Sequence, residues 1–302
     1  MTSIEIVEVG PRDGLQNESV VVATVDKIEL VRRAVSAGVR RIEVASFVNP
    51  KKVPQMADAA EVIAGLPDID GVTYIGLVLN VRGAERALAT KVHELGAVCV
   101  ATDSFAMRNQ GQTAFESVDV ARDIIRLGLA EGRSAQVTIG ASFGCPFEGD
   151  VSPDHVVEMA KRLADANPRE IALADTIGVA VPSQVTDLIG RVRDAIGDIP
   201  VRCHFHNTRN TGLANVWAAV EVGAATIDAS LGGLGGCPFA PGAAGNVPTE
   251  DVHYLLDRSG VATGLDLDAL IAANRWFTDV MRKPLPSMVA RAGGFPQNIR
   301  SN

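Results

Sequence analysis

"VRCHFHNTRNTGLANVWAAVEVGAATIDASLGG", residues 201–233, contains a whole strand–helix–strand unit, and its reading decides the fold. It opens on the short run VRCHFHN, passes through the amphipathic stretch NTGLANVWAAVEVG, and closes on a second strand-like run, ATIDASLGG. The middle stretch has helical length and ends in glycine, as helices commonly do, and a crossover of that size joins parallel strands. Outward from this unit the pattern repeats. Strand-like runs recur as SIEIVEV, RRIEVASF, VTYIGLVLN, AVCVATD, AQVTIGASFG and EIALADT. Between them lie VDKIELVRRAVSAG, with Thr24 placed to cap it, then GAERALATKVHELG, SVDVARDIIRLGLAEG, SPDHVVEMAKRLADAN and VPSQVTDLIGRVRDAIG. Ser152 stands at an N-cap position with Pro153 at the first helical one.

Eight strands alternating with helices favour a closed (β/α)8 TIM barrel over an open doubly wound sheet. No linker breaks the series, so one barrel is expected over residues 3–262. The stretch DLDALIAANRWFTDVMRK and the Pro/Gly-containing tail, within 263–302, are expected as a helical extension packed on that barrel.

The bulk composition is compatible with this. Of 302 residues, 47% are hydrophobic and 21% charged, enough for a large core. A formal charge of −8 argues against a nucleic-acid binder or a polybasic membrane-surface protein, although a local Arg/Lys cluster can still hold an anionic small molecule. Cys99, Cys145, Cys203 and Cys237 are scattered in or beside apolar runs without a CxxC pair, which suits a reduced, intracellular chain. No signal peptide and no 18-residue apolar run is evident, so a cytoplasmic location without membrane contact is expected.

Barrel enzymes place their chemistry at the C-terminal ends of the strands. The residues there are Arg12 and Asp13, Glu43 and Ser46, Asn80, Asp103, Cys145, Asp175 and Thr176, then His204, His206 and Asn207. An interior filled for stability alone would show Val, Ile and Leu. His204 and His206, two apart on a strand, project to one face. An isolated HxH pair is more often two hydrogen-bonded core histidines than a metal site. Here, however, the chain has only five histidines, Asp13 offers a carboxylate and Asn246 an amide oxygen. Strands one, seven and eight are neighbours in a closed barrel, so these four groups can meet. Two nitrogens and several oxygens suit a divalent ion such as Mg²⁺ or Mn²⁺.

The second unusual stretch is GGLGGCPFAPGAAGN, residues 232–246, with six glycines and two prolines around Cys237. Glycine content alone describes a connector. A thiol in its middle suggests a loop that closes over a site, with Cys237 as acid, base or nucleophile.

Together VEVGPRDGLQNE (7–18), SFVNPKKVPQMAD, GCPFEG, ADTIGV, HFHNT and GGLGGCPFAPGAAGNVPTED resemble, in order, the 3-hydroxy-3-methylglutaryl-CoA (HMG-CoA) lyase family of barrel metallolyases. The resemblance runs from about residue 4 to 260. It implies a retro-Claisen cleavage of an acyl-CoA thioester to acetoacetate and acetyl-CoA. It also implies metal ligation by Asp13, His204, His206 and Asn246, an enolate contact from Arg12, and a catalytic thiol on Cys237. Glu43, Asp175 and Gln16 match further polar positions around the site, and Asn109 one near the CoA nucleotide. Ser46 and Thr176, at strand ends, are expected to contact substrate. His204 and Glu43 both stand as candidate bases, and a homodimer is the expected assembly. The chain departs from the pattern at Asn207 and Arg209, where the lyases carry Asp and Tyr, at Asp103 in place of Glu, and at Phe147 in place of a frequent Tyr. These departures leave the chemistry intact and open the identity of the acyl group. Cleavage of citramalyl-CoA or a longer-branched 3-hydroxyglutaryl-CoA is the nearest alternative, and condensation as in the related synthases a further one. A binding or scaffold barrel would need a degraded metal site, and all four ligands remain.

Overall fold

The computed structural model describes residues 3–236 and 245–296. Eight parallel strands close on themselves in sequence order: β1 Glu5–Glu8, β2 Arg41–Ser46, β3 Thr73–Val78, β4 Glu94–Val100, β5 Ser134–Gly140, β6 Ile171–Asp175, β7 Val201–Phe205 and β8 Thr226–Ala229. The ring is sealed by β1 lying on β8, with Ile6 opposite Ile227 and Val7 opposite Asp228. Helices cover the outside: α1 Thr24–Ser36, α2 Ala59–Gly65, α3 Val81–Leu88, α4 Asp103–Gln110, α5 Ala114–Ala130, α6 Pro153–Ala164, α7 Pro182–Ile196, α8 Gly212–Glu221 and α9 Thr249–Arg258. The expected barrel is therefore observed.

The strands read as near-continuous apolar runs because both faces are covered. Their outward residues pack under the helices in one core that includes Ile42, Leu95, Val137, Leu173 and Ile227. A second core forms where α10, Leu267–Met281, lies against the barrel. There Leu270, Phe277 and Met281 meet Leu15, Leu30, Leu231 and Leu234. Residues from the loops after β1 and β8 thus share a core with α10. Burying a side chain such as Phe277 stabilises this contact by about 1.5–3 kcal/mol. A last short helix, α11 Met288–Ala292, is held by Asp251, whose carboxylate accepts from the Ser287 hydroxyl and the backbone N–H groups of Met288 and Val289.

Several local expectations are corrected. GAERALATKVHELG is not one helix. It ends at Leu88, the Thr90 hydroxyl donates to Ala87 O at 2.6 Å, and Glu94 already opens β4. The cause is tertiary: the Glu94 carboxylate is bound inside the barrel by Arg41. Thr24 is the first residue of α1 rather than its cap, and its hydroxyl donates to Asp58 instead. Ser152 and Pro153 occupy the expected positions, but the serine side chain makes no capping bond.

Candidate metal-binding active site

After β1 the chain winds through one wide helical turn, Gly10–Gly14, in which the N–H groups of Arg12 and Gly14 both donate to Val9 O. The turn lies tight against the end of β8. A Cβ on Gly14 would sit 2.8 Å from Ser230 Oγ. Arg12 and Asp13 are thereby held at the barrel mouth.

β7 brings in the histidines. Period-two geometry sends Arg202, His204 and His206 to one face. The two imidazole centroids are 5.1 Å apart, and their Nε2 atoms lie 3.9 Å (His204) and 3.8 Å (His206) from Asp13 Oδ2. One ligand atom from each of these three residues falls within 4.8 Å of the other two. Ligands about 2.1 Å from a small divalent ion stand roughly 3 Å apart, so a modest contraction closes the set.

Asn246, in the segment after β8, completes the cluster by bridging to His206. The chain re-enters as a strand-like bridge, with Val247 N donating to Phe205 O and Asn207 N to Gly245 O. Gly245 has φ +88°, and a Cβ there would meet Gly235 O at 2.0 Å. Only glycine lets these two segments close together. The Asn246 amide donates from Nδ2 to Asp13 Oδ2 and to Leu234 O, both at 2.9 Å, while its Oδ1 is buried and has no hydrogen-bond partner. An orphaned amide oxygen on a residue bound to Asp13, beside two imidazoles and without a thiolate among the described donors, fits a hard or borderline divalent cation.

Arg12 is clamped. Its Nε and one terminal nitrogen donate to Glu43 Oε2 at 2.9 and 2.6 Å, and the other terminal nitrogen to Asp13 Oδ1 at 2.6 Å. Glu43 sits beside an irregularity in the β2–β3 register, between Glu43 and Ala45, a device that re-aims side chains near sites. Burial opposes ionisation of Asp13, but the Arg12 guanidinium and the two histidines hold its carboxyl well below the usual range. At Glu43 burial wins over Arg12 and raises the pKa. Burial disfavours the charged His204, yet its hydrogen bond to Asp228 and the charge of Asp13 raise it overall.

These groups line a cavity of about 1110 Å³. Leu77, Val98, Thr138 and Ala174, from β3 to β6, line it as well, and exposed Lys52, Arg82, Arg86 and Arg108 bring positive charge to it in a chain of net charge −8. Gln16, Asn109 and Thr176 line the same cavity. Ser46 is buried and reaches Gln16 Oε1 only at 3.4 Å. Asp175 is fully buried, and its two oxygens accept from the backbone N–H groups of Val179 and Ala180. Cys237 lies outside the described residues. Gly236, which precedes it, lines the cavity.

Sequence reasoning passed over Asp228 and Arg202. Asp228 Oδ2 meets His204 Nδ1 at 3.0 Å, and Arg202 donates to Asp228 Oδ1 at 2.8 Å. The available signal was a charge inside an apolar run: Asp in ATIDASLGG, and Arg two residues before the first histidine, on the same strand face.

The comparisons with known proteins agree with this geometry. The HMGL-like family model matches residues 3–276. The (R)-citramalyl-CoA lyase of Chloroflexus aurantiacus is 45% identical, covering 99% of this chain and 98% of that protein. The 3-hydroxy-3-isohexenylglutaryl-CoA/hydroxymethylglutaryl-CoA lyase of Pseudomonas aeruginosa is 40% identical, with 96% of each chain covered. A structure of an HMG-CoA lyase from Acinetobacter baumannii, in complex with coenzyme A and 3-methylmalate, superposes with a TM-score of 0.93 at 39% identity, covering 99% of this chain and 97% of that one. With its closed barrel and a match over nearly its whole described length, the chain belongs to the HMGL-like family.

Proposed function

We propose that this protein is a divalent-metal-dependent carbon–carbon lyase that cleaves HMG-CoA to acetoacetate and acetyl-CoA. The observation that carries the reading is the convergence of Asp13, His204 and His206 beside Arg12 in one cavity. Asp13, His204, His206 and Asn246 would hold the ion, with Mg²⁺ or Mn²⁺ matching a donor set of nitrogen and oxygen. When bound, such an ion supplies Lewis acidity that lowers the pKa of a substrate hydroxyl and orients it.

The chain's own groups account for the rest. In the cleavage the C2–C3 bond breaks, the C3 hydroxyl loses its proton to become a ketone, and C2 leaves as the thioester enolate and gains a proton. The clamped Arg12 fork presents a permanent cation to the thioester oxygen as enolate charge develops. Glu43 binds Arg12 through Oε2 alone, which leaves Oε1 as one candidate acceptor of the hydroxyl proton; His204 is the other. Cys237 is assigned delivery of the proton to C2, supported by the position of Gly236 at the cavity. Lys52, Arg82, Arg86 and Arg108 offer positive charge for the CoA phosphates. Free buried thiols at Cys99, Cys145 and Cys203 support a cytoplasmic location, and a homodimer is the proposed assembly.

One observation favours a second reading. The 45% identical relative is a lyase for (R)-citramalyl-CoA, whose carboxylate is one methylene closer to the carbinol carbon. Cleavage of that thioester yields pyruvate in place of acetoacetate. Both readings are tested by incubating purified protein with each thioester and Mg²⁺ or Mn²⁺, and following acetyl-CoA together with the oxo acid. Faster release from HMG-CoA, stopped by EDTA, is expected. Preference for citramalyl-CoA would transfer the assignment, and no metal-dependent release from either would overturn it.

A further inference from the structure

Asp228 is absent from the ligand set, yet it is only 4% exposed and lies directly behind His204. Its two oxygens are divided. Oδ2 faces His204 Nδ1 at 3.0 Å, and Oδ1 accepts from Arg202 at 2.8 Å. Arg202 is itself fixed from several sides: it also donates to Gln136 and to Thr138 Oγ1 (3.0 Å), and its Nε lies 3.1 Å from Glu170. Glu170 in turn meets Arg41 at 2.8 Å and accepts from the Thr226 hydroxyl. An ionic chain therefore runs down the barrel interior from His204 through Asp228, Arg202 and Glu170 to Arg41. The Arg202 guanidinium, 2.8 Å from Oδ1, keeps Asp228 a carboxylate.

An ionised carboxylate can only accept, so the bond requires the proton on His204 Nδ1. The Nε2 lone pair is then directed to the Asp13 side, where the distance to Oδ2 is 3.9 Å. We propose that Asp228, braced by Arg202, is a positioning residue that fixes the ring orientation and tautomer of His204 for metal binding. His206 has no such brace. Its Nδ1 is buried without a hydrogen-bond partner, so the two imidazoles, though equivalent in sequence spacing, are not equivalent in preparation. This inference rests on the metal site of the proposed function, while its first readout needs no metal.

The experiment has two arms. Imidazole ¹⁵N NMR of the metal-free wild-type protein, above the titration range of the ring, is expected to show His204 protonated at Nδ1 and bare at Nε2. A proton on Nε2, or an averaged mixture, overturns the proposal whether or not any variant folds. Asp228→Asn keeps the shape but must give its one oxygen to Arg202 and turn its NH₂ to Nδ1, which drives the His204 proton to Nε2. Mn²⁺ affinity, read by titration of free Mn²⁺ with EPR, is then expected to fall roughly 10–100-fold with CoA affinity unchanged. Wild-type Mn²⁺ affinity in that variant also overturns it. Failure of the wild-type protein to bind Mn²⁺ would instead defeat the metal reading, and the tautomer measurement would still stand by itself.

Discussion

Two clusters of arginine and carboxylate occupy the barrel interior, and they differ in how completely they are closed. At the N-terminal ends of the strands, Arg41 meets Glu5, Glu94 and Glu170, and Arg169 meets Glu5 and Glu94. Each of those carboxylates faces a guanidinium, and Arg41 is 1% exposed. At the C-terminal ends, Arg12 holds Glu43 and one oxygen of Asp13, while the other oxygen faces two imidazoles and an amide. Here Asn246 Oδ1 and His206 Nδ1 remain unpartnered, and His206 lines the cavity. The same residue types make a guanidinium–carboxylate network at one end and a cluster of imidazole, amide and carboxylate groups at the other. Buried atoms without a partner occur at both ends and differ in kind: a donor, Arg41 Nε, at the first, and an acceptor, Asn246 Oδ1, with an imidazole nitrogen, His206 Nδ1, at the second.

The comparison can be broken from the upper end first. Asp13→Ala removes the group on which both histidines converge. A loss of about 10⁴-fold or more in kcat/KM is expected from the proposed metal role, in which a bound divalent ion would supply several kcal/mol of charge stabilisation, together with loss of Mn²⁺ binding and no fall in Tm. Retained turnover would place the chemistry elsewhere.

At the lower end the sign of the effects reverses. Arg41→Met removes the guanidinium shared by Glu5, Glu94 and Glu170 and leaves Glu94 only Arg169 and Glu170 only Arg202, so urea denaturation should register about 3 kcal/mol of lost stability. The fraction that still folds should keep near-normal kcat. A stable but inactive variant would merge the two clusters into one functional unit.

Arg12→Lys preserves charge but not the fork that spans Glu43 and Asp13. Steady-state kinetics should show a fall of about 10²–10³-fold in kcat/KM, most of it in kcat. A change confined to KM would make Arg12 a binding group only.

A third set of buried acids sharpens the contrast further. Glu8 accepts from Gly10 N, Leu231 N and the Thr249 hydroxyl, and Glu250 from Gly232 N and Asn274; among the described residues neither pairs with a guanidinium. Burial pushes Glu8 up to about 7 and Glu250 up to about 8. A carboxyl with a raised folded-state pKa binds its proton more tightly when folded. The stability it contributes is therefore complete below its ordinary value of about 4.5 and is lost as pH rises through about 7 and 8. Urea midpoints should decline across that window. Glu250→Gln should flatten the alkaline part. A midpoint that stays flat across that window would show these acids to be charged throughout.

The smallest effect belongs to the surface. The Arg126–Asp123 pair, 3.7 Å apart with both side chains more than half exposed, should contribute no more than about 0.5 kcal/mol in a double-mutant cycle. A larger coupling would mean that exposure is a poor guide to which charges matter in this fold.

Much of the fold was legible because the strand–helix alternation is strong and parallel strands covered on both faces carry runs of apolar residues. The boundaries were less so. GAERALATKVHELG keeps an amphipathic pattern past Leu88, and nothing local marks Glu94 as the start of a strand, because its partner Arg41 is remote in the chain. α2 and α4 are too short for periodicity to single them out. In the candidate site, His204 and His206 announced themselves by a spacing of two. Asp228 did not, since one aspartate in an apolar run has no spacing to read.

By itself the sequence determined the element order, the closed barrel that eight repeats make, and the residue types gathered at the strand ends. Those follow from periodicity and chain order, which are local properties. Only the tertiary structure decided that Glu43 grips Arg12, that Asp228 stands behind one histidine and not the other, and that Asn246 keeps an unused oxygen. Those are distances between residues remote in the chain, and the hydrogen bonds that depend on them exist only once the barrel has closed.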